Sequence, residues 1–217
     1  MERSIHVFDA YGTLFDVHSA VARHSDLAGT NSVALSQIWR TKQLEYTWTR
    51  TAMGRYRDFR QLTQEALDFA LATVPGWQAG AREALLEAYA VLDCYAEVPH
   101  VLTALKAKGH RLAILSNGTP GMLADAVRSA GIGSLLDDVL STDTLRLYKT
   151  APEAYRLVTS RYGVEPGAVH FQSSNRWDIA GATAFGFNCS WINRTGQPDE
   201  YGDLPPAAVL ADLTGLL

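Results

Sequence analysis

Short apolar runs that end in polar or glycine residues, at 5–10, 111–116, 168–172 and 188–192, constrain this chain more than any other feature. A run of this length bounded by turn formers reads as a strand covered on both faces. Between the runs lie helical periodicities at 98–108, 120–130, 152–163 and 175–185, and a further short strand is expected at 138–141. Gly109, Gly131, Gly163 and Gly186 stand where helix C-caps favour the left-handed conformation. Strand and helix in alternation predict an α/β fold on a parallel sheet.

One region breaks the rhythm. From about Val17 to Glu97 the chain carries helical patterns at 31–53, 58–74 and 80–92 and no convincing strand. An insertion after the first strand would sit over the C-terminal edge of the sheet, where open α/β folds bind ligands, and would close the site as a cap. Glu97-Val98-Pro99 marks the return. The expected organisation is a Rossmann-like core domain from 1–16 and 97–217, with a helical cap domain at 17–96. A length of 217 residues with 47% hydrophobic positions suits a core with one large insertion.

The net charge of −4 and the lack of any Lys/Arg-rich stretch exclude a nucleic-acid or anionic-membrane footprint, so a bound anion must be held locally. Cys94 and Cys189 form no CxxC pair and read as core thiols of a reducing compartment. The opening apolar run is too short for a signal segment or a membrane span, so a cytoplasmic location is expected. His6, His18, His24, His100, His110 and His170 lack metal-ligand spacing, and neither metal nor cofactor is expected. Trp39, Tyr46 and Trp48 read as cap core or a subunit contact rather than a cofactor box.

The strand ends carry the polar chemistry. Asp9 follows Ile5-His6-Val7-Phe8 directly, and Gly12 and Thr13 allow a tight turn that presents its carboxylate in the crevice. Ser116-Asn117-Gly118 ends the second strand, where it could cap the next helix, hold a carboxylate or halide, or do both. Lys149 follows the 138–141 strand and its loop, and Ser173-Ser174-Asn175-Arg176-Trp177-Asp178 follows 168–172. Four strand ends converge on one crevice.

These residues, in this order, resemble the haloacid dehalogenase superfamily and, more narrowly, its L-2-haloacid dehalogenases. The resemblance covers essentially the whole chain. It rests on Phe-Asp-Ala-Tyr-Gly-Thr-Leu-Phe-Asp-Val-His at 8–18, Ile-Trp-Arg-Thr-Lys-Gln-Leu-Glu-Tyr-Thr-Trp at 38–48 and Leu-Ser-Asn-Gly at 115–118. Tyr-Lys at 148–149, Ser-Ser-Asn-Arg-Trp-Asp at 173–178 and Trp-Ile-Asn-Arg at 191–194 complete it. The resemblance implies a Rossmann-like core with a helical cap, Asp9 as nucleophile, Arg40 on the cap receiving the halide, and Ser116 with Asn117 touching substrate. Tyr11, Leu44, Phe59 and Trp177 match its apolar substrate pocket; Thr13, Thr41, Tyr155 and Ser174 are further candidate contacts, and a homodimer is implied. Thr41 stands where relatives commonly carry Gln, and Thr150 where Pro is usual, which bears on pocket shape and on the Lys149 loop.

Residue chemistry separates the reactions that share this scaffold. Phosphatases of the superfamily place a second Asp two residues after the nucleophile to protonate a poor leaving group; here that position is Tyr11. They also bind Mg²⁺ through carboxylates after a later strand, where this chain has Ser173, Ser174 and only Asp178, a poor set for a hard cation. A halide needs neither device, only positive charge and N–H donors, which Arg40 and Asn117 supply. The expected reaction takes a small 2-halo carboxylic acid: Asp9 attacks C2, an ester forms, and water hydrolyses it at the Asp9 carbonyl carbon. Lys149 keeps Asp9 ionised, and Asp178, helped by Asn175, orients or activates the water. The competing readings are a divergent phosphatase and a catalytically silent binding module.

Overall fold

A computed structural model describes residues 4–28 and 31–217. In chain order its elements are β1 (Ile5–Phe8), α1 (Ser19–Arg23), α2 (Ser25–Ala28), α3 (Ser32–Met53), α4 (Phe59–Thr73), α5 (Ala81–Ala90), α6 (Val98–Ala107) and β2 (Arg111–Ser116). There follow α7 (Pro120–Ser129), β3 (Asp138–Ser141), α8 (Pro152–Tyr162), β4 (Val169–Ser173), α9 (Arg176–Phe185), β5 (Asn188–Ile192) and β6 (Ala208–Leu210). The strands form one six-stranded sheet in the order β3-β2-β1-β4-β5-β6, and every pairing is parallel.

Alternate residues of each strand face opposite layers, as the strand repeat requires. Ile5 and Val7 of β1 pack with Ala113, Leu115, Val169 and Phe171 against Tyr155, Val158 and Ile179 of α8 and α9. Phe8, Leu112 and Ile114 face the other way, toward α6 and α7. Burial on both faces is why these strands are legible as continuous apolar runs. β6 was not anticipated: it is three residues long at the sheet edge, and Val209 is 55% exposed, so neither length nor burial left a pattern.

β1 is central, with β2 on one side and β4 on the other. The chain runs outward from β1 through β2 to β3 and then crosses back to β4, so the strand order reverses beside β1. The C-terminal ends of the strands splay apart there and leave a crevice.

All five helices α1 to α5 lie between β1 and β2 in sequence. α3 buries Leu35, Trp39, Gln43 and Thr47 at four-residue spacing, and α4 answers with Phe59, Leu62, Ala66 and Ala70. The periodicity predicted at 31–53 and 58–74 reflects this hairpin. Asp58 starts α4 by accepting the Gln61 N–H at 2.9 Å, which satisfies one of the helix's orphan donors. Trp39 is buried, as expected, and donates its indole N–H to the Thr63 carbonyl at 2.9 Å. Trp48 instead stands 40% exposed, edge-on to Trp177 of α9 with ring centroids 5.4 Å apart. Cys189 lies in the core, whereas Cys94 is only half-buried, a correction to its core reading. Among the described residues no helix is long and apolar enough to cross a membrane.

Candidate active site

Asp9 continues the β1 pairing, donating its backbone N–H to the Gln172 carbonyl at 2.9 Å. The chain then doubles back: the Ala10 carbonyl accepts from the N–H groups of Thr13, Leu14 and Phe15, and Gly12 takes φ = +93°, which a side chain would strain. This loop leaves the Asp9 carboxylate facing the crevice, 5% exposed.

Its two oxygens are treated differently. Oδ2 accepts from Asn175 Nδ2 at 2.7 Å, Thr13 Oγ1 at 3.1 Å and Ser173 Oγ at 3.4 Å. Among the described residues Oδ1 accepts only from Lys149 Nζ, at 3.0 Å, which leaves a lone pair free. The same ammonium donates to Asp178 Oδ2 at 2.7 Å, and the Tyr155 hydroxyl donates to Asp178 Oδ1 at 2.8 Å. Lys149, Asp178 and Tyr155 are essentially inaccessible to water, at 1%, 0% and 0% exposure.

Burial penalises each charge in this chain of contacts and the neighbours answer it. Desolvation pulls the Lys149 ammonium down, but Asp178 and Asp9 together hold it above its ordinary value, so it stays protonated. Desolvation lifts the Asp178 carboxyl to about 6, against the pull of Lys149 and with a further push from the Asp9 charge. Burial and then the Asp178 charge keep the Tyr155 hydroxyl well above the usual phenol range, so it remains a donor.

Arg40 of α3 reaches the crevice from above the sheet. Its Nη2 donates to the Tyr11 carbonyl at 3.0 Å and to Asn175 Oδ1 at 3.3 Å, and its Nη1 donates to Gln43 Oε1 at 2.8 Å. None of these acceptors is a carboxylate, so the guanidinium keeps its charge for an incoming anion. On the opposite side Ser116 Oγ accepts from the Gly118 N–H at 3.1 Å, which frees its own proton for donation. Asn117 Oδ1 accepts from the Lys149 backbone N–H at 3.0 Å and from Thr142 Oγ1 at 3.3 Å, tying the Lys149 loop to the end of β2.

Residues 5–186 match the family profile of the haloacid dehalogenase-like hydrolases. The chain belongs to that family. It is 49% identical to (S)-2-haloacid dehalogenase 4A of Burkholderia cepacia, over 92% of this chain and 87% of that one. A dehalogenase crystal structure superposes with a TM-score of 0.96 at 46% identity, covering 99% of this chain and 96% of that one. The L-2-haloacid dehalogenase of Xanthobacter autotrophicus with chloropropionic acid covalently bound superposes with a TM-score of 0.87 at 35% identity, over 99% and 97% of the two chains.

Many haloacid dehalogenase-like hydrolases hold Mg²⁺ beside the strand-one aspartate. Here Lys149 Nζ lies within ion-pair distance of both Asp9 and Asp178, so the carboxylates that such an ion would use already share a cation of the chain itself. No group of three His, Cys, Asp or Glu among the described residues could hold a metal. These donors do not fit Mg²⁺.

Of the residues singled out from sequence in this family member, Asp9, Thr13, Arg40, Lys149, Tyr155, Asn175 and Asp178 form one hydrogen-bonded network. Tyr11 and Phe59 are buried beside it with ring centroids 5.6 Å apart. Leu44 is half-buried one turn past Arg40. Thr41 is exposed and lines a shallow depression with Ile38 and Phe69, so the departure from Gln there lies on the outer side of the hairpin. Trp177 borders a cavity of about 580 Å³ with Trp48, Thr150 and Tyr201, and Asp9 is not among the residues lining it.

Ser174 donates its backbone N–H to Thr13 Oγ1 at 2.8 Å, and its hydroxyl is buried with no hydrogen-bond partner among the described residues. The serine bonded to Asp9 is Ser173. The strand expected at 168–172 is β4, which runs one residue further, to Ser173. Gln43 was also missed, although its i, i+3 spacing from Arg40 on one helix face was a usable signal. Arg194 was given no role, although it ends the Trp-Ile-Asn-Arg motif at 191–194: it donates to the Thr13 carbonyl at 2.9 Å from 181 residues away and clamps the Asp9 loop.

Proposed function

We propose that this chain hydrolyses small L-2-haloalkanoic acids to D-2-hydroxy acids through an ester on Asp9. The observation that carries the reading is the unequal treatment of the Asp9 oxygens. Oδ1, with one partner and a free lone pair, attacks C2 from the side opposite the halogen; the C2–O bond forms as the carbon–halogen pair leaves with the halide. Arg40, whose acceptors are all neutral, stabilises the charge developing on that halide. Ser116 and Asn117 orient the substrate carboxylate, with Tyr11 and Phe59 as apolar wall.

The second step uses the other oxygen. In the ester Oδ2 is the carbonyl oxygen, and when water adds to the Asp9 carbonyl carbon the negative charge falls on it. Asn175, Thr13 and Ser173 then serve as an oxyanion hole already in place. Asp178 takes the proton from the attacking water, and Lys149 lies between the two carboxylates throughout. The bond from the carbonyl carbon to Oδ1 breaks, Oδ1 takes up the proton held by Asp178 and departs as the product hydroxyl, and Asp9, carrying an oxygen from water, loses the remaining proton to solvent.

The helical insert, 17–96, acts as a cap domain over a core of 1–16 and 97–217; residues 1–3 and 29–30 of these spans lie outside the described residues. Supporting this is the delivery of Arg40 by α3 to a crevice otherwise built from strand ends. A homodimer fits the half-exposed Phe69 beside Ile38 on the α3–α4 hairpin, and a cytoplasmic location fits the two free cysteines.

Chloride release from L-2-chloropropionate in the presence of a chelator, with D-lactate as product and the D enantiomer unreactive, is the expected result. Retention or racemisation at C2, or a strict requirement for Mg²⁺, would contradict the reading. The acid limb of kcat provides a second check. Asp178 acts as a base only when ionised, so turnover is present above its pKa and lost as pH falls through it. Esterification removes the Asp9 charge that helps raise Asp178, so the midpoint should fall between the ordinary 3.8 and about 6. A midpoint near neutrality would assign the base to another group.

A further inference from the structure

We propose that Gly181 is a positioning residue for ester hydrolysis: its missing side chain lets the Tyr155 hydroxyl and the Thr150 loop close on α9, and so sets Asp178 and Lys149. The proposal rests on the roles given above to Asp178 and Lys149.

A glycine inside a helix weakens it relative to alanine, and Gly181 is in the interior of α9 rather than at its end. A Cβ at this position would stand 2.5 Å from the Tyr155 hydroxyl oxygen and 2.8 Å from both Cβ and Cγ2 of Thr150. Gly181 is three residues after Asp178 and therefore shares its helix face. The close approach it permits is what brings the Tyr155 hydroxyl within 2.8 Å of Asp178 Oδ1 and 3.2 Å of the Asp178 carbonyl oxygen.

The two colliding groups differ in freedom. Tyr155 is fully buried, and its ring is packed by Phe171, Phe185 and Phe187 at centroid distances of 6.1, 5.9 and 5.9 Å. Thr150 is exposed but directly follows Lys149 in the chain. A methyl group at Gly181 therefore moves either the hydroxyl that holds Asp178 or the backbone that places the ammonium. The titratable groups facing Asp178 are Lys149, Asp9, Tyr155 and, from β5, Cys189. Among them Tyr155 is the one that Gly181 touches, and its hydrogen bond favours the ionised carboxylate.

Gly181→Ala should fold, yet release product about tenfold to a hundredfold more slowly, the range expected for a lost hydrogen bond to a charged group. Ester formation should be less affected, so rapid quenching with L-2-chloropropionate and mass analysis should find the Asp9 peptide alkylated in steady state. The acid limb of kcat should move up by about one pH unit. Tyr155→Phe should reproduce both signatures with Gly181 intact. In the Tyr155→Phe/Gly181→Ala protein the hydroxyl collision is gone, so alanine should cost less than it does alone and leave the acid limb where Tyr155→Phe put it. Should the single variant not fold, Thr150→Gly removes the second collision, and Thr150→Gly/Gly181→Ala is compared with Thr150→Gly. Wild-type kcat and acid limb in Gly181→Ala, a slowed turnover without alkylated Asp9, or fully additive losses in the Tyr155→Phe pair would overturn the proposal. Absence of halide release by the wild-type protein would instead overturn the reading of function on which it rests.

Discussion

A single turnover in heavy-oxygen water, with enzyme in excess, should place one heavy oxygen in the peptide containing Asp9 and none in the 2-hydroxy acid. Direct attack on C2 by water would use the same residues and give the same inverted product, so only the origin of the product oxygen separates the two routes. In the ester route Oδ1 leaves with the product and solvent oxygen remains in the carboxylate. Asp9→Asn should lower turnover by about four orders of magnitude or more, because a neutral amide is a poor nucleophile and the neighbouring carboxylate, Asp178, is held by Lys149 and Tyr155. Its effect on stability should have the opposite sign. Asp9, Lys149 and Asp178 carry a net charge of −1 out of water, and removing the Asp9 charge leaves a balanced pair. The variant should therefore melt at or above the wild-type temperature. A light Asp9 peptide with heavy product would make Asp9 a general base.

Lys149→Met should produce the second large effect, on activity and stability together. Lys149 is 1% exposed and holds two buried carboxylates, so its removal leaves like charges facing each other without a counter-charge. Breaking a buried pair from one side costs about 3–5 kcal/mol, and turnover should fall by roughly three orders of magnitude or more because Asp9 and Asp178 then compete to stay ionised. The pH dependence of stability follows. Without the ammonium one carboxyl has a folded-state pKa raised above its unfolded value, so the folded state binds the extra proton. Stability is then present at low pH and lost as pH rises through the raised value. Urea unfolding at pH 5 and 8 should show a wider gap between variant and wild type at pH 8. Lys149→Met/Asp178→Asn should recover much of the stability and none of the turnover. Equal stability of Lys149→Met and wild type would mean that the ammonium does not hold these carboxylates in solution.

By itself the sequence determined the α/β alternation, the parallel sheet and the long helices after the first strand. These depend on burial repeating at the period of the local backbone. β1, β2 and α3 are legible because each buries a continuous run or stripe, and the same reasoning is silent for β6, which is short and half-exposed. The position of Asp9 at a strand end, the tight turn through Gly12, and the absence of an acid at Tyr11 are likewise local and were readable. The motif order extended this to Arg40, Lys149, Asn175 and Asp178, though not to their geometry.

Only the tertiary structure decided which side chains meet. Lys149 bonds Asp9 across 140 residues of chain, and Asn175 bonds it across 166. Ser173 bonds Asp9 from the last position of β4, while Thr41 and Trp177 border surface depressions. Gly181 was legible only as a glycine inside an expected helix, and its role emerges when a tyrosine from another helix is found resting where its side chain would be. Periodicity records whether a residue is buried. What it is buried against depends on how separate elements pack, and at close-packed density a shift of a few tenths of an ångström decides whether a contact is a hydrogen bond or a collision.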